Sequence, residues 1–168
     1  MNKSHFDFRL IFPKTIGNTY SGNIIPKILF YIVILFTIVR SLIHIFAHDG
    51  GAMSIATIPL DKYPSAAANT VIYLFGVWGL SQLIMGVFYL IVSLRYKSLI
   101  PLMYIFVAFE YAMRLVIGHM KPVVTAGTAP GAVGNYILIP LALTMFFLSI
   151  WKKADSQQTG NSNRQNIE

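Results

Sequence analysis

Residues 26–47 read PKILFYIVILFTIVRSLIHIFA, and this stretch decides the class of the fold. It is apolar almost throughout, its run of Ile, Leu, Val and Phe broken chiefly by Thr37, Arg40, Ser41 and His44. At about 1.5 Å per residue, a helix of this length crosses the roughly 30 Å hydrocarbon core of a bilayer. Three further stretches of the same kind follow, at 69–94, 99–118 and 133–151. With about 19 to 26 residues each, all four are long enough to span. The expected fold is therefore an all-α membrane protein, an antiparallel four-helix transmembrane bundle forming one domain.

The separators support this division. Arg95-Tyr96-Lys97 makes a short basic turn between the second and third spans, and residues 125–134 are rich in Gly, Pro and small side chains, as a loop is. Pro26 and Pro101 fall near helix starts, where a missing amide proton costs little, whereas Pro140 lies inside the fourth span and predicts a kink. Residues 1–25 read as a cytoplasmic or interfacial segment, either an anchor on an anionic leaflet or a lead-in to the first helix. They contain Asp7 and Pro13 and lack the compact apolar core of a signal peptide, so the first helix is expected to act as an uncleaved insertion signal. Residues 152–168, dominated by Gln, Asn and Ser, read as a disordered cytoplasmic tail.

Composition narrows the function classes. Hydrophobic residues make up 55% of the chain and charged residues 11%, too apolar a balance for a water-facing surface. The net charge of +7 does not point to nucleic acid, because most Lys and Arg residues flank the spans. One side holds Lys3, Arg9, Lys14, Lys27, Arg95, Lys97, Lys152, Lys153 and Arg164, the other only Lys62 and Lys121. By the positive-inside rule both termini are cytoplasmic, and the bacterial inner membrane is the expected location. The absence of cysteine excludes disulfides, thiolate metal sites and thiol catalysis.

Charges within the spans are the functional signal. Thr37, Arg40, Ser41, His44 and His48 recur at spacings of three and four, which puts a polar stripe on the first helix. The third span carries Glu110 and Arg114 four apart, with Tyr111 beside them and His119 at its outer end. Arg40 and Glu110 lie roughly 10 and 12 Å inside the outer ends of two helices that both run outward, and Trp78 falls at about the same level. A charge at mid-bilayer costs about 2.5–3.5 kcal/mol on the insertion scale, so these side chains are expected to face one another inside the bundle. The expected site is Arg40, His44, His48, Trp78, Glu110, Arg114 and His119. Two arginines against one glutamate leave a positive charge that a small anionic, lipid or quinone-like ligand would neutralise.

Other readings compete. The cluster can be a structural ion-pair network in a subunit that binds a membrane partner. His44, His48, Asp49 and Glu110 supply the ligand types of a metal or redox centre, with two histidines at i, i+4, and make a membrane-embedded enzyme the catalytic alternative. The loop from His48 to Pro64 is either a lid on the bundle mouth or a solvated connection. Gly79, Gly86 and Ser93, seven apart with Gln82 near their face, and Ala108 with Ala112, read as close helix contacts, with a glycine-lined ligand groove as the alternative. Glu110 and the histidines can exchange protons, but only Gln82 and Thr144 continue the polar path inward, which favours a one-sided site over a conduit.

The four spans, the turn Arg95-Tyr96-Lys97 and the Arg114 to Gly118 end of the third span, over roughly residues 28–151, resemble the small four-helix bacterial inner-membrane proteins of the DoxX-like kind. The resemblance implies the four-helix fold and a quinone-related or redox partner in the membrane. Any thiol-based role in that group does not carry over, since this chain has no cysteine.

Overall fold

The structure is a computed structural model that describes residues 4–152. Four helices dominate it: α1, Ile24–Phe46; α2, Ser65–Arg95; α3, Ile100–Met120; and α4, Pro130–Ser149. All four are long and apolar enough to cross a membrane, and they pack against one another.

Local chemistry sets the helix ends a few residues from where hydropathy alone placed them. Asn23 caps α1 by accepting from the Ile25 amide at 3.0 Å, so the helix starts before Pro26, which then sits harmlessly in the first turn. α2 begins directly after Pro64 and gains a turn over the expected 69–94. Pro130 opens α4 inside the stretch expected to be loop, using its preset φ at a position that needs no amide proton. α4 continues through Pro140 as one helix to Ser149.

Trp151 does not belong to the fourth helix. Trp151–Lys152 forms a short strand, β2, antiparallel to β1 at His5–Phe6, so the fold is not purely helical. Lys152 also pairs with Asp7 at 2.7 Å, and the Phe6 ring meets Trp151 edge-on at 4.5 Å. The hydrogen bond from Lys152 lowers the Asp7 carboxyl below the usual carboxylate range. Residues 4–23 thus form a strap across one end of the bundle, joined to α4 through the Asn23 amide and the Leu148 carbonyl. The expected tail over 153–168 lies outside the described residues.

The core is densest near the strap. Phe30 of α1 lies between Tyr89 of α2 and Tyr104 of α3, each ring centroid 5.6 Å away, and the Tyr104 hydroxyl donates to the Pro26 carbonyl at 2.6 Å. Val92, Ile100 and Met103 complete this buried group. Away from it the packing is uneven. α1 lies along α2, and α3 along α4, whereas α2 and α3 make little contact beyond the turn that joins them.

Candidate functional site

Close approach of α1 and α2 builds one wall of the site. A Cβ on Gly79 would lie 2.7 Å from His44 Cβ and 3.0 Å from the Ser41 carbonyl, so only glycine allows this spacing. At Gly86 the fit is tight, with an added Cβ 3.0 Å from Ile38 Cγ1. The expected reading of these glycines as helix contacts therefore holds.

His44 is 4% exposed and stacks on Trp78 of α2 with centroids 4.8 Å apart and an interplanar angle of 30°. Its Nδ1 lies 2.7 Å from the Gly50 carbonyl; since a carbonyl only accepts, Nδ1 carries the proton. Gly50 and Gly51 reach this contact with φ of +60° and +75°, a left-handed turn that side chains resist. Asp49 locks the turn by accepting from the amides of Gly51, Met53 and Ser54 at 2.6–3.0 Å. Burial pushes its carboxyl up, but these bonds prevail and hold it at about 2. The loop buries Ala52, Ile58 and Leu60 against α2, and Thr57 exchanges hydrogen bonds with Ala126 and Gly127 of the α3–α4 connection. It is a folded cap over His44 rather than a solvated connection.

Trp78 organises the charges. The Arg114 guanidinium carbon lies 4.8 Å from its ring centroid and that of Arg40 lies 5.7 Å away, both within cation–π range. Arg40 also approaches Phe36 at 5.5 Å, and Arg114 approaches Tyr111 at 5.2 Å. The expected depth match between the first and third spans is therefore realised, through an aromatic ring of the second.

The pairing within the cluster differs from expectation. Glu110 pairs with Arg114 of its own helix, four residues on, and no ion pair links Arg40 to Glu110 among the described residues. An i, i+4 partner on the same helix is reached without bringing two helices together, so it takes the carboxylate first. The Arg40 Nε and Arg114 Nε atoms are buried without hydrogen-bond partners. Two cations and one anion leave one positive charge there.

Not every expected residue joins. His48 is exposed beyond the end of α1, and His119 is exposed with its Nδ1 on the Leu115 carbonyl at 2.7 Å. The alternative set His44, His48, Asp49 and Glu110 does not assemble: the Asp49 oxygens hold amides and Glu110 holds Arg114. Among the described residues no three His, Asp or Glu side chains gather as metal ligands.

What the residue pattern missed is a groove. Where α2 and α3 stand apart they leave a hollow of about 400 Å³, at the small end of the roughly 300–1,000 Å³ usual for ligand sites. Trp78, Glu110 and Arg114 line one end, and Met85, Tyr89 and Phe106 the other. Gln82 lies between them, 5% exposed, with neither Oε1 nor Nε2 hydrogen-bonded. The signal for Gln82 was a carboxamide in the middle of an apolar span, which the glycines beside it turned into a packing residue. A second hollow of about 330 Å³ lies under the strap, where Thr15, Thr19, Tyr20 and Ser98 meet Leu10 and Pro101.

The chain matches no protein-family model, no curated protein and no solved structure.

Proposed function

We propose that this is an integral protein of a bacterial inner membrane that binds an anionic-headed amphiphile in the groove between α2 and α3. The helices form an antiparallel bundle with both termini cytoplasmic, a reading supported by the Lys and Arg asymmetry of the connecting segments. The strap then lies at the cytoplasmic face, and the cluster under the 48–64 cap lies in the outer half of the bilayer.

The observation that carries the binding reading is the excess positive charge around Trp78, two guanidiniums against the single carboxylate of Glu110, at one end of a groove whose other end is apolar. A buried or lipid-facing charge is costly unless paired; Glu110 matches one of the two guanidiniums, and an anionic head beside Arg114 supplies the second counter-charge while its chain covers Met85, Tyr89 and Phe106. A quinone-like ligand, implied by the DoxX-like resemblance, would fill the apolar part but leave that charge unmatched. A purely structural network would rest on the contacts of Arg40 and Arg114 with the Trp78 ring, since the Glu110–Arg114 pair lies within one helix and cannot fix the register of two.

The test is thermal unfolding in a neutral detergent with added dodecyl phosphate or uncharged dodecyl glucoside. Ligand that binds only the folded protein raises the melting temperature by mass action, and a hundredfold excess over Kd is worth about 2.7 kcal/mol. Dodecyl phosphate is expected to raise it in wild type and not in Arg114→Ala, and dodecyl glucoside in neither. Equal shifts from both amphiphiles, or an undiminished shift in Arg114→Ala, would defeat the reading.

A further inference from the structure

Gln82 is the least explained side chain in the bundle. It lies in the middle of α2, 95% buried by the 5% exposure above, and both ends of its carboxamide lack partners. Burying such a group without hydrogen bonds is strongly unfavourable, all the more in a groove that opens toward lipid, where no water substitutes. Packing does not require it. The small residues Gly79 and Gly86 already bring α1 close, and leucine or methionine would fill the same volume without orphaned atoms.

Its position supplies the reason. Gln82 is four residues from Trp78, one turn and about 6 Å along the helix axis. Trp78 marks the level of the Arg114 guanidinium, and Met85 and Tyr89 continue the groove beyond Gln82 as apolar wall. The groove therefore runs from the Arg114 guanidinium, with Glu110 on one of its nitrogens, to a donor and acceptor held together, to hydrocarbon.

We infer that Gln82 determines specificity for amphiphiles whose anionic head is joined to the chain by a short hydrogen-bonding linker, such as a glycerol phosphate bearing one acyl ester. This inference rests on the binding reading above and names its ligand class. The phosphate meets Arg114. With the Gln82 carboxamide turned out into the groove, Nε2 donates to the ester carbonyl and Oε1 accepts from the free glycerol hydroxyl, so one ligand satisfies both orphaned atoms. A three-carbon linker with bonds of about 1.5 Å spans a distance similar to one helical turn.

The experiment compares three probes on the full chain in neutral detergent: lauroyl-glycerol phosphate, dodecyl phosphate without the linker, and glycerol phosphate without the chain. Wild type is expected to bind the first about tenfold more tightly than the second, the worth of one or two satisfied hydrogen bonds, and the third not measurably. Gln82→Leu is expected to bind the first two equally and, unliganded, to melt about 2–4 °C higher, because it removes an unsatisfied buried group. Gln82→Asn, shorter by one methylene, is expected to lose the preference without that gain.

Equal binding of the two chain-bearing probes by wild type, or a preference retained in Gln82→Leu, would overturn the role of Gln82 while leaving the anionic amphiphile in place. A lower melting temperature for unliganded Gln82→Leu would show that the carboxamide is satisfied within the protein, with the same consequence. Glycerol phosphate binding as tightly as its acylated form would replace the amphiphile with a soluble anion. Binding of none of the three would remove both readings together.

Discussion

Along the α1–α2 seam, two backbones approach until a carbon added at Gly79 would collide with His44 and one added at Gly86 would press on Ile38. Along the α2–α3 seam, the same helix turns Trp78, Gln82 and Met85 toward a partner that stands away from it, leaving a hollow and an orphaned carboxamide. The first seam is closed by the protein's own atoms, whereas the second is left open. In lipid, where apolar contact alone does little to hold helices together, close packing marks a structural seam and an open, polar-lined gap marks a candidate site.

The contrast predicts unequal responses to mutation. The largest effect is expected on the closed seam: Gly79→Leu should destabilise by about 3 kcal/mol or prevent folding, because overpacking against His44 and Ser41 cannot be relieved. Its measure is thermal unfolding in detergent, and a near-neutral result would mean that the seam is loose. Next, Arg114→Ala and Trp78→Ala should be coupled in a double-mutant cycle by about 0.5–2 kcal/mol, the range for a cation over an aromatic face.

A smaller effect falls on the cap over His44. Asp49→Ala should cost about 1 kcal/mol, as the loss of a side chain capping backbone amides does. Because the folded carboxyl is held at about 2, below its ordinary 3.8, its contribution is complete above the ordinary value and is lost as pH falls toward 2. Acid unfolding of wild type should therefore contain a component near pH 2–4 that Asp49→Asn lacks. Least of all, Arg40→Ala and Glu110→Ala should be coupled by only about 0.5 kcal/mol, since they share a cluster but no ion pair joins them. Strong coupling there would restore a structural network across α1 and α3.

The helices were legible because about 20 apolar residues in a row leave few alternatives, and the depth match of Arg40, Glu110 and Trp78 followed from helix rise alone. The ends were less legible, since Asn23 and Pro130 set them by capping chemistry that hydropathy does not weigh. The strap was hidden for a different reason: β1 and β2 are two residues each and lie at opposite ends of the described chain, so no local pattern announces their pairing. His48 and His119 share a helical face with site residues, but both lie at or beyond the ends of their helices, outside the cluster. Glu110 had two arginines within plausible reach, and spacing could not say that the one on its own helix would hold it. The groove was invisible because it depends on which helix pairs close, a tertiary fact that four similar apolar spans do not encode.

The most direct test of the account places the ligand in space. A dodecyl phosphate carrying a photoreactive diazirine on its chain, irradiated with wild-type protein, should crosslink at Met85, Tyr89, Phe106 or Met113, which line the groove. Labelling there should fall in competition with unmodified dodecyl phosphate and in Arg114→Ala. Labels scattered over the exposed faces of α1 and α4, unchanged by competitor or by Arg114→Ala, would contradict the claim that the α2–α3 groove is a binding site.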